Sequence, residues 1–248
     1  MAAPALKFAQ HQILVTEKME PSDVIHHALS QGAYHLVQKD GISFEKEKAL
    51  AQLMISNPVS FFADPVRSIA QELLLKENLF TFRCPSTTNK RSVIQYLEDF
   101  LHQHPKTKSV HDEVLLAADE IFTNASKNSG SFYDSAAAQN AVAGEIEFHA
   151  YIDQERVMIV CIDSYGRLVI PHLLDKIHFC FERGVAGAIQ QGEGGAGIGS
   201  FLIFNNCSSY YIGVEPGKQT IVGVGFQYTP RSSDKAALSK HLNFVSIE

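Results

Sequence analysis

The chain has no C-x-x-C pair, no excess of positive charge and no long apolar run, and each absence closes off a class of function. Without about 18 consecutive apolar residues no membrane-spanning helix is expected. With 21 Lys and Arg against 27 Asp and Glu, the formal net charge is −6. That balance cannot displace counterions from a phosphate backbone, so nonspecific nucleic-acid binding is not expected. The short clusters Lys90-Arg91 and Lys106-Thr-Lys108 read as solvated surface. Cys84, Cys161, Cys180 and Cys207 are widely spaced, with no histidine at metal-ligand spacing. They read as small apolar residues of a reducing compartment, Cys161 within the buried-strand pattern Val157-Met-Ile-Val-Cys-Ile162. The opening Met1-Ala-Ala-Pro-Ala lacks a basic segment followed by an apolar one. A cytoplasmic location is therefore the expectation.

What is present is an ordinary globular composition. Across 248 residues, 45% are hydrophobic and 19% charged, enough for one large or two modest domains. The texture changes near residue 78. Residues 1–77 read as a small α/β region, with strands at 12–16 and 33–37, a helix from Pro21 to the stop at Gly32, and helices over 44–54 and 66–75. It carries no chemical motif, and His26, His27 and His35 read as surface or packing residues. Too few apolar positions are available for a strong independent core, so the region should dock on the rest of the chain or on a second copy through Phe61, Phe62, Leu73 and Leu74. Ala63-Asp-Pro65 could instead be a hinge to an autonomous unit.

Residues 78–230 read as strand 79–84, a helix through Val93, Leu97 and Leu101, and a helix over 111–127. A hairpin over 144–162, a helix over 171–183, a glycine-rich segment, a helix over 200–208 and a hairpin over 209–228 follow. Antiparallel strands with helices grouped beside them indicate an α+β two-layer sandwich of mixed, mostly antiparallel sheet. Residues 231–248 form a polar tail ending in a short segment of undefined type.

Chemistry concentrates in Glu120-Ile-Phe-Thr-Asn124-Ala-Ser-Lys127-Asn128. Glu120, Asn124 and Lys127, at i, i+4 and i+7, project from one side of a helix, roughly 150° from Val114, Ala118, Ile121, Phe122 and Ala125. A base, a metal-compatible carbonyl and a cation together are what hydroxyl activation, Mg²⁺ binding and phosphate binding require. Any solvated amphipathic helix also shows a polar stripe, although Asn124 and Asn128 are poor helix-interior residues.

Gly192-Glu-Gly-Gly-Ala-Gly-Ile-Gly199 packs five glycines into eight positions before a helix. Glycines let backbone N–H groups approach phosphate oxygens, and the helix N-terminus adds a favourable dipole. A dinucleotide fingerprint from Gly195 would need glycine at Ser200, and no Lys-Ser/Thr follows, so neither that motif nor a Walker A loop fits. A plain flexible linker remains open. Asp163, at the end of a buried strand, could accept a hydrogen bond from an adenine amino group or simply start an Asx turn.

Glu120-x-x-x-Asn124-Ala-x-Lys127-Asn128, Asp163-x-x-Gly166, Gly195-x-Gly197-x-Gly199 and Gly217-Lys-Gln-Thr220 resemble, in order, the N, G1, G2 and terminal Gly/Thr boxes of the GHKL (Bergerat-fold) ATPases. Within them the likeness is nearest to the anti-sigma factor serine kinases, and it covers roughly residues 79–228. It implies a Bergerat fold, ATP and Mg²⁺ as cofactors, and transfer of the γ-phosphate to a serine of a protein partner in bacterial signalling. The partner would be a sigma factor or an anti-anti-sigma-like protein, and homodimerisation is left open. By this resemblance Glu120 is the general base, Asn124 the Mg²⁺ ligand, and Lys127 and Asn128 lie near phosphate. Asp163 holds the adenine, Gly166 is a further nucleotide-binding position of that box, Gly195, Gly197 and Gly199 form the phosphate lid, and Thr220 supports the adenine end. Tyr165 and Arg167 stand where the family usually has glycines. The alternative is therefore a catalytically inactive relative that works as a protein-binding, anti-sigma-like module.

Overall fold

The computed structural model describes residues 12–39, 43–75, 79–85, 88–128, 145–190, 197–228 and 238–247. Strands β1 (Ile13–Thr16), β2 (His35–Gln38), β3 (Leu79–Pro85), β4 (Glu145–Ile152), β5 (Arg156–Asp163), β6 (Ser209–Glu215), β7 (Gln219–Gln227) and β8 (His241–Ser246) form one mixed sheet. Its order is β1-β2-β8-β6-β7-β5-β4-β3. The pairs β1–β2 and β6–β8 are parallel and the others antiparallel. The fold is α+β, as the sequence patterns predict.

The helices are α1 (Pro21–Gln31), α2 (Phe44–Ser56), α3 (Pro58–Ala63), α4 (Pro65–Glu72), α5 (Lys90–His102), α6 (His111–Asn128), α7 (Ile170–Gln190) and α8 (Ile198–Asn206), with a 3₁₀ turn at Pro105–Ser109. Pro21 opens α1 and Gly32, in the left-handed region at φ 62, closes it. Asn57, Asp64 and Asn89 cap the helices that follow them, each side chain accepting a backbone N–H. The segment expected as a single helix over 66–75 stops at Glu72, because Leu74 turns to φ 53. Helix α7 breaks at Gly184 (φ 71), one residue beyond the expected end, and resumes to Gln190.

Strand alternation divides the packing between two faces. On the front, Val157, Ile159 and Cys161 of β5, Tyr210 and Ile212 of β6, Val224 and Phe226 of β7, and Leu242 and Phe244 of β8 meet Val114, Ala118, Ile121, Phe122 and Ala125 of α6 in one apolar core. Within 78–230 this is a sheet with its helices on one side. On the back, the 1–77 region lays α2, α3 and α4 over the sheet. Leu50, Met54, Phe61, Phe62, Ile69 and Leu73 pack there with Met158, Val160, Tyr211, Ile221 and Val245. Phe61, Phe62 and Leu73 are thus contacts of the docked region, as expected, whereas Leu74 is 59% exposed.

The back face also carries a buried polar seam. Glu47 of α2, 0% exposed, accepts hydrogen bonds from Arg156 Nη1 and Ser209 Oγ, both at 2.8 Å, and from the Tyr211 hydroxyl. Beside it, Ser43 Oγ meets His241 Nε2 at 3.3 Å and His35 Nδ1 meets Asn243 Oδ1 at 3.2 Å.

The tail makes the largest departure from expectation. It supplies β8, an interior strand that joins β2 of the N-terminal region to β6. Just before it, buried Lys240 donates from Nζ to the carbonyl oxygens of Phe204, Asn205 and Cys207, closing the C-terminal end of α8. No helix among the described residues is long and apolar enough to cross a membrane.

Candidate nucleotide site

Helix α6 buries Val114, Ala118, Ile121, Phe122 and Ala125 against the front of the sheet, which leaves Glu120 and Asn124 half-buried along its flank. Asn124 Nδ2 donates to Glu120 Oε1 at 3.0 Å, so the oxygen is the atom of the amide that Glu120 does not engage. Lys127 and Asn128 lie in the last turn of α6, and their side chains fall outside the described residues.

Asp163 and Thr220 sit opposite each other on antiparallel strands β5 and β7. Both are buried, at 4% and 2% exposure. Asp163 Oδ1 accepts from the backbone N–H of Tyr165 at 2.9 Å and of Gly166 at 3.4 Å. That is the Asx turn which sequence reasoning offered beside the adenine role. It fixes the carboxylate at the strand end. The Thr220 hydroxyl is buried with no hydrogen-bond partner among the described residues. An orphaned hydroxyl at such a position is uncommon, because leaving one buried costs about 1–3 kcal/mol.

These residues meet around one cavity. Asn124 of α6, Asp163 of β5, Ser200 of α8 and Thr220 of β7 supply its polar lining, with Cys161, Leu168, Leu173, Ile203 and Tyr210 among the rest. Its free volume is about 40 Å³, room for a water molecule or so. Burial, with the neighbouring Asp163 carboxylate, drives the Cys161 thiol well above its ordinary pKa, so this sulfur is held neutral and offers no thiolate nucleophile.

At two positions around the cavity a glycine leaves space that a side chain would fill. Gly166 has φ +59, and a Cβ there would lie 2.1 Å from the Glu215 carbonyl oxygen. Its own carbonyl accepts from Gly217 N–H at 3.3 Å, so the Asp163 turn is fastened to the β6–β7 hairpin. Gly199, in the first turn of α8, stands against Glu120, where a Cβ would lie 2.0 Å from the carboxyl carbon. Gly197 lies just before α8, while Gly195 falls outside the described residues.

Sequence reasoning missed Ser200, Tyr210, Leu168 and Leu173 as lining. Ser200 directly follows Gly199 and was in reach; the other three carry no sequence motif. Tyr165 leaves its hydroxyl buried without a partner among the described residues, and the Arg167 guanidinium lies 5.9 Å from its ring centre. No protein-family model matches the chain, and no curated protein is significantly similar to it.

Proposed function

We propose that the protein binds ATP with Mg²⁺ in the front-face cavity. In this reading it acts as a GHKL-type regulatory kinase, resembling the anti-sigma factor serine kinases, on a serine of a protein partner. The observation that carries the reading is convergence. Asn124, Asp163 and Thr220 lie in three sequence boxes 39 and 57 residues apart, yet they line one cavity, with Glu120 at its flank and Gly199 against Glu120. A random set of polar residues would scatter over the surface.

The donor set fits the cofactors. The orphaned Thr220 hydroxyl beside the Asp163 carboxylate offers a donor–acceptor pair to the edge of a purine. The Asn124 amide oxygen is a hard ligand of the type Mg²⁺ takes, and Mg²⁺ keeps several waters, so one protein ligand suffices. When bound, the ion offsets charge on the phosphates. Glu120 would take the proton of the partner's serine hydroxyl, supplying the general base for its attack on the γ-phosphate with ADP as leaving group. Backbone N–H groups at the start of α8 would hold the phosphate chain. Ligand pockets occupy about 300 Å³ or more, so nucleotide entry requires this cavity to widen.

The second reading, an inactive module that holds a partner without chemistry, is favoured by Tyr165 and Arg167 in place of glycines and by the Gly166 loop being fastened to the hairpin. Thermal unfolding with ATP and Mg²⁺ separates the readings from no binding at all. Ligand at about 100 times its Kd adds about 2.7 kcal/mol, or about 5 to 11 °C for a chain of this size. Asp163→Asn should weaken adenosine binding more than it weakens inorganic triphosphate binding. Glu120→Ala should abolish transfer while leaving affinity nearly intact. Absence of any shift at millimolar ATP refutes the nucleotide site, and binding without transfer to any protein partner leaves the inactive module.

A further inference from the structure

We propose that Glu98, His102 and His111 form a site for a transition-metal dication of the Zn²⁺ class at the α5–α6 corner. Glu98 and His102 are four residues apart in the last turns of α5 and so project from one side. The 3₁₀ turn at Pro105–Ser109 reverses the chain and brings His111, the first residue of α6, against them. One ligand atom from each of the three lies within 4.8 Å of the others. The sequence hides this set, because the step of nine positions from His102 to His111 matches no metal-binding spacing.

Two further observations point to a ligand. The rings of His102 and His111 are stacked, 4.8 Å between centroids and 16° between planes. The stack brings the two imidazoles together at the α5–α6 corner. His111 also pairs through Nδ1 with Asp112 Oδ1 at 3.2 Å. Its other ring nitrogen, Nε2, is buried with no hydrogen-bond partner among the described residues. A carboxylate behind a histidine whose other nitrogen faces the ion is the usual outer shell of a zinc ligand.

Two imidazoles and one carboxylate suit Zn²⁺ and its first-row neighbours and not Mg²⁺ or Ca²⁺, which select oxygen. His102 is exposed and free to rotate into coordination, and water completes a tetrahedron. Bound there, the ion clips the end of α5 to the start of α6, the helix that carries Glu120 and Asn124.

Calorimetric titration of ZnCl₂ into the full chain, stripped with chelator and free of nucleotide and Mg²⁺, tests the site. We expect one ion per chain, and substitution with Co²⁺ should give the intense visible absorption of a tetrahedral centre. His102→Ala and His111→Ala should each weaken binding by more than about 100-fold, while Asp112→Asn should weaken it by about 10- to 100-fold. His104→Ala, whose ring packs on Phe100 at 5.0 Å, should leave it unchanged. Because His102 is exposed, its variant should keep the metal-free melting temperature, which separates lost ligation from lost fold. Absence of saturable binding, or unchanged affinity in both His102→Ala and His111→Ala, overturns the proposal. The assay contains no nucleotide, so its result is independent of the ATP reading.

Discussion

Removing Glu47 should be among the most damaging single substitutions in the chain. Its carboxylate is fully buried between α2 and the back of the sheet, and it receives Arg156 Nη1, Ser209 Oγ and the Tyr211 hydroxyl. The Arg156 side chain is 4% exposed. Burial works against its charge, and the Glu47 carboxylate more than restores it, so the guanidinium pKa ends above its ordinary value. Glu47→Ala strands that cation and two hydroxyls in a dry layer. Breaking a buried pair in this way costs about 3–5 kcal/mol, which corresponds to a melting point lower by about 6 to 20 °C. Replacing both partners by apolar residues of similar volume, Glu47→Leu with Arg156→Met, leaves no orphaned charge and should recover most of the loss.

Urea unfolding followed by far-UV circular dichroism measures both variants. Detachment of α2–α4 alone would also lower the denaturant slope, because less surface would remain to be exposed in the main transition. A Glu47→Ala loss below about 1 kcal/mol would refute the reasoning, since a typical surface ion pair contributes no more than that. So would a double variant no more stable than the single one.

Gly199→Ala should reverse its sign with background. A Cβ would meet the Glu120 carboxylate, so in the wild type the change displaces that side chain or the start of α8. In a Glu120→Ala background the same change should stabilise by about 0.5–1 kcal/mol through helix propensity, and equal effects in both backgrounds, measured by urea unfolding, would remove the contact. Alkaline stability should follow the buried thiols. Burial holds Cys207 up to about 11 against an ordinary value of 9.0, with nearby Lys240 acting the other way. A folded-state pKa above the unfolded one gives stability that is complete below pH 9 and lost as pH rises towards 11. Cys207→Ala should reduce that slope by at most about 1.4 kcal/mol per pH unit, read from unfolding curves between pH 8 and 11.

Local pattern was enough for most elements. The spacing of Val93, Leu97 and Leu101 marks α5, and the alternation of residues 145–152 with the apolar run 157–162 beyond Asp153 marks the β4–β5 hairpin. Asp153 Oδ1 closes that turn, accepting the N–H groups of Glu155 and Arg156 at 2.7 and 2.8 Å. The stripe on α6 likewise follows from 3.6-residue periodicity, which needs no knowledge of what the helix packs on. The sequence also contains the residues of the candidate cavity in order.

What it could not specify is which distant groups satisfy one another. Arg156, Ser209, His241 and Asn243 fall at alternate strand positions, and read locally that is a sheet face turned to water. Tertiary structure covers it, because Glu47 of α2 sits among those groups as an acceptor more than a hundred residues away from Arg156. Strand β8 was illegible for the same reason. Its polar His241 and Asn243 interrupt the apolar signal of Leu242, Phe244 and Val245, and their burial is tolerated through pairing with Ser43 and His35 about 200 residues earlier. Periodicity along a chain reports how an element can divide its faces. Only the long-range hydrogen bonds and packing decided that the tail enters the middle of the sheet and that the N-terminal helices close its back.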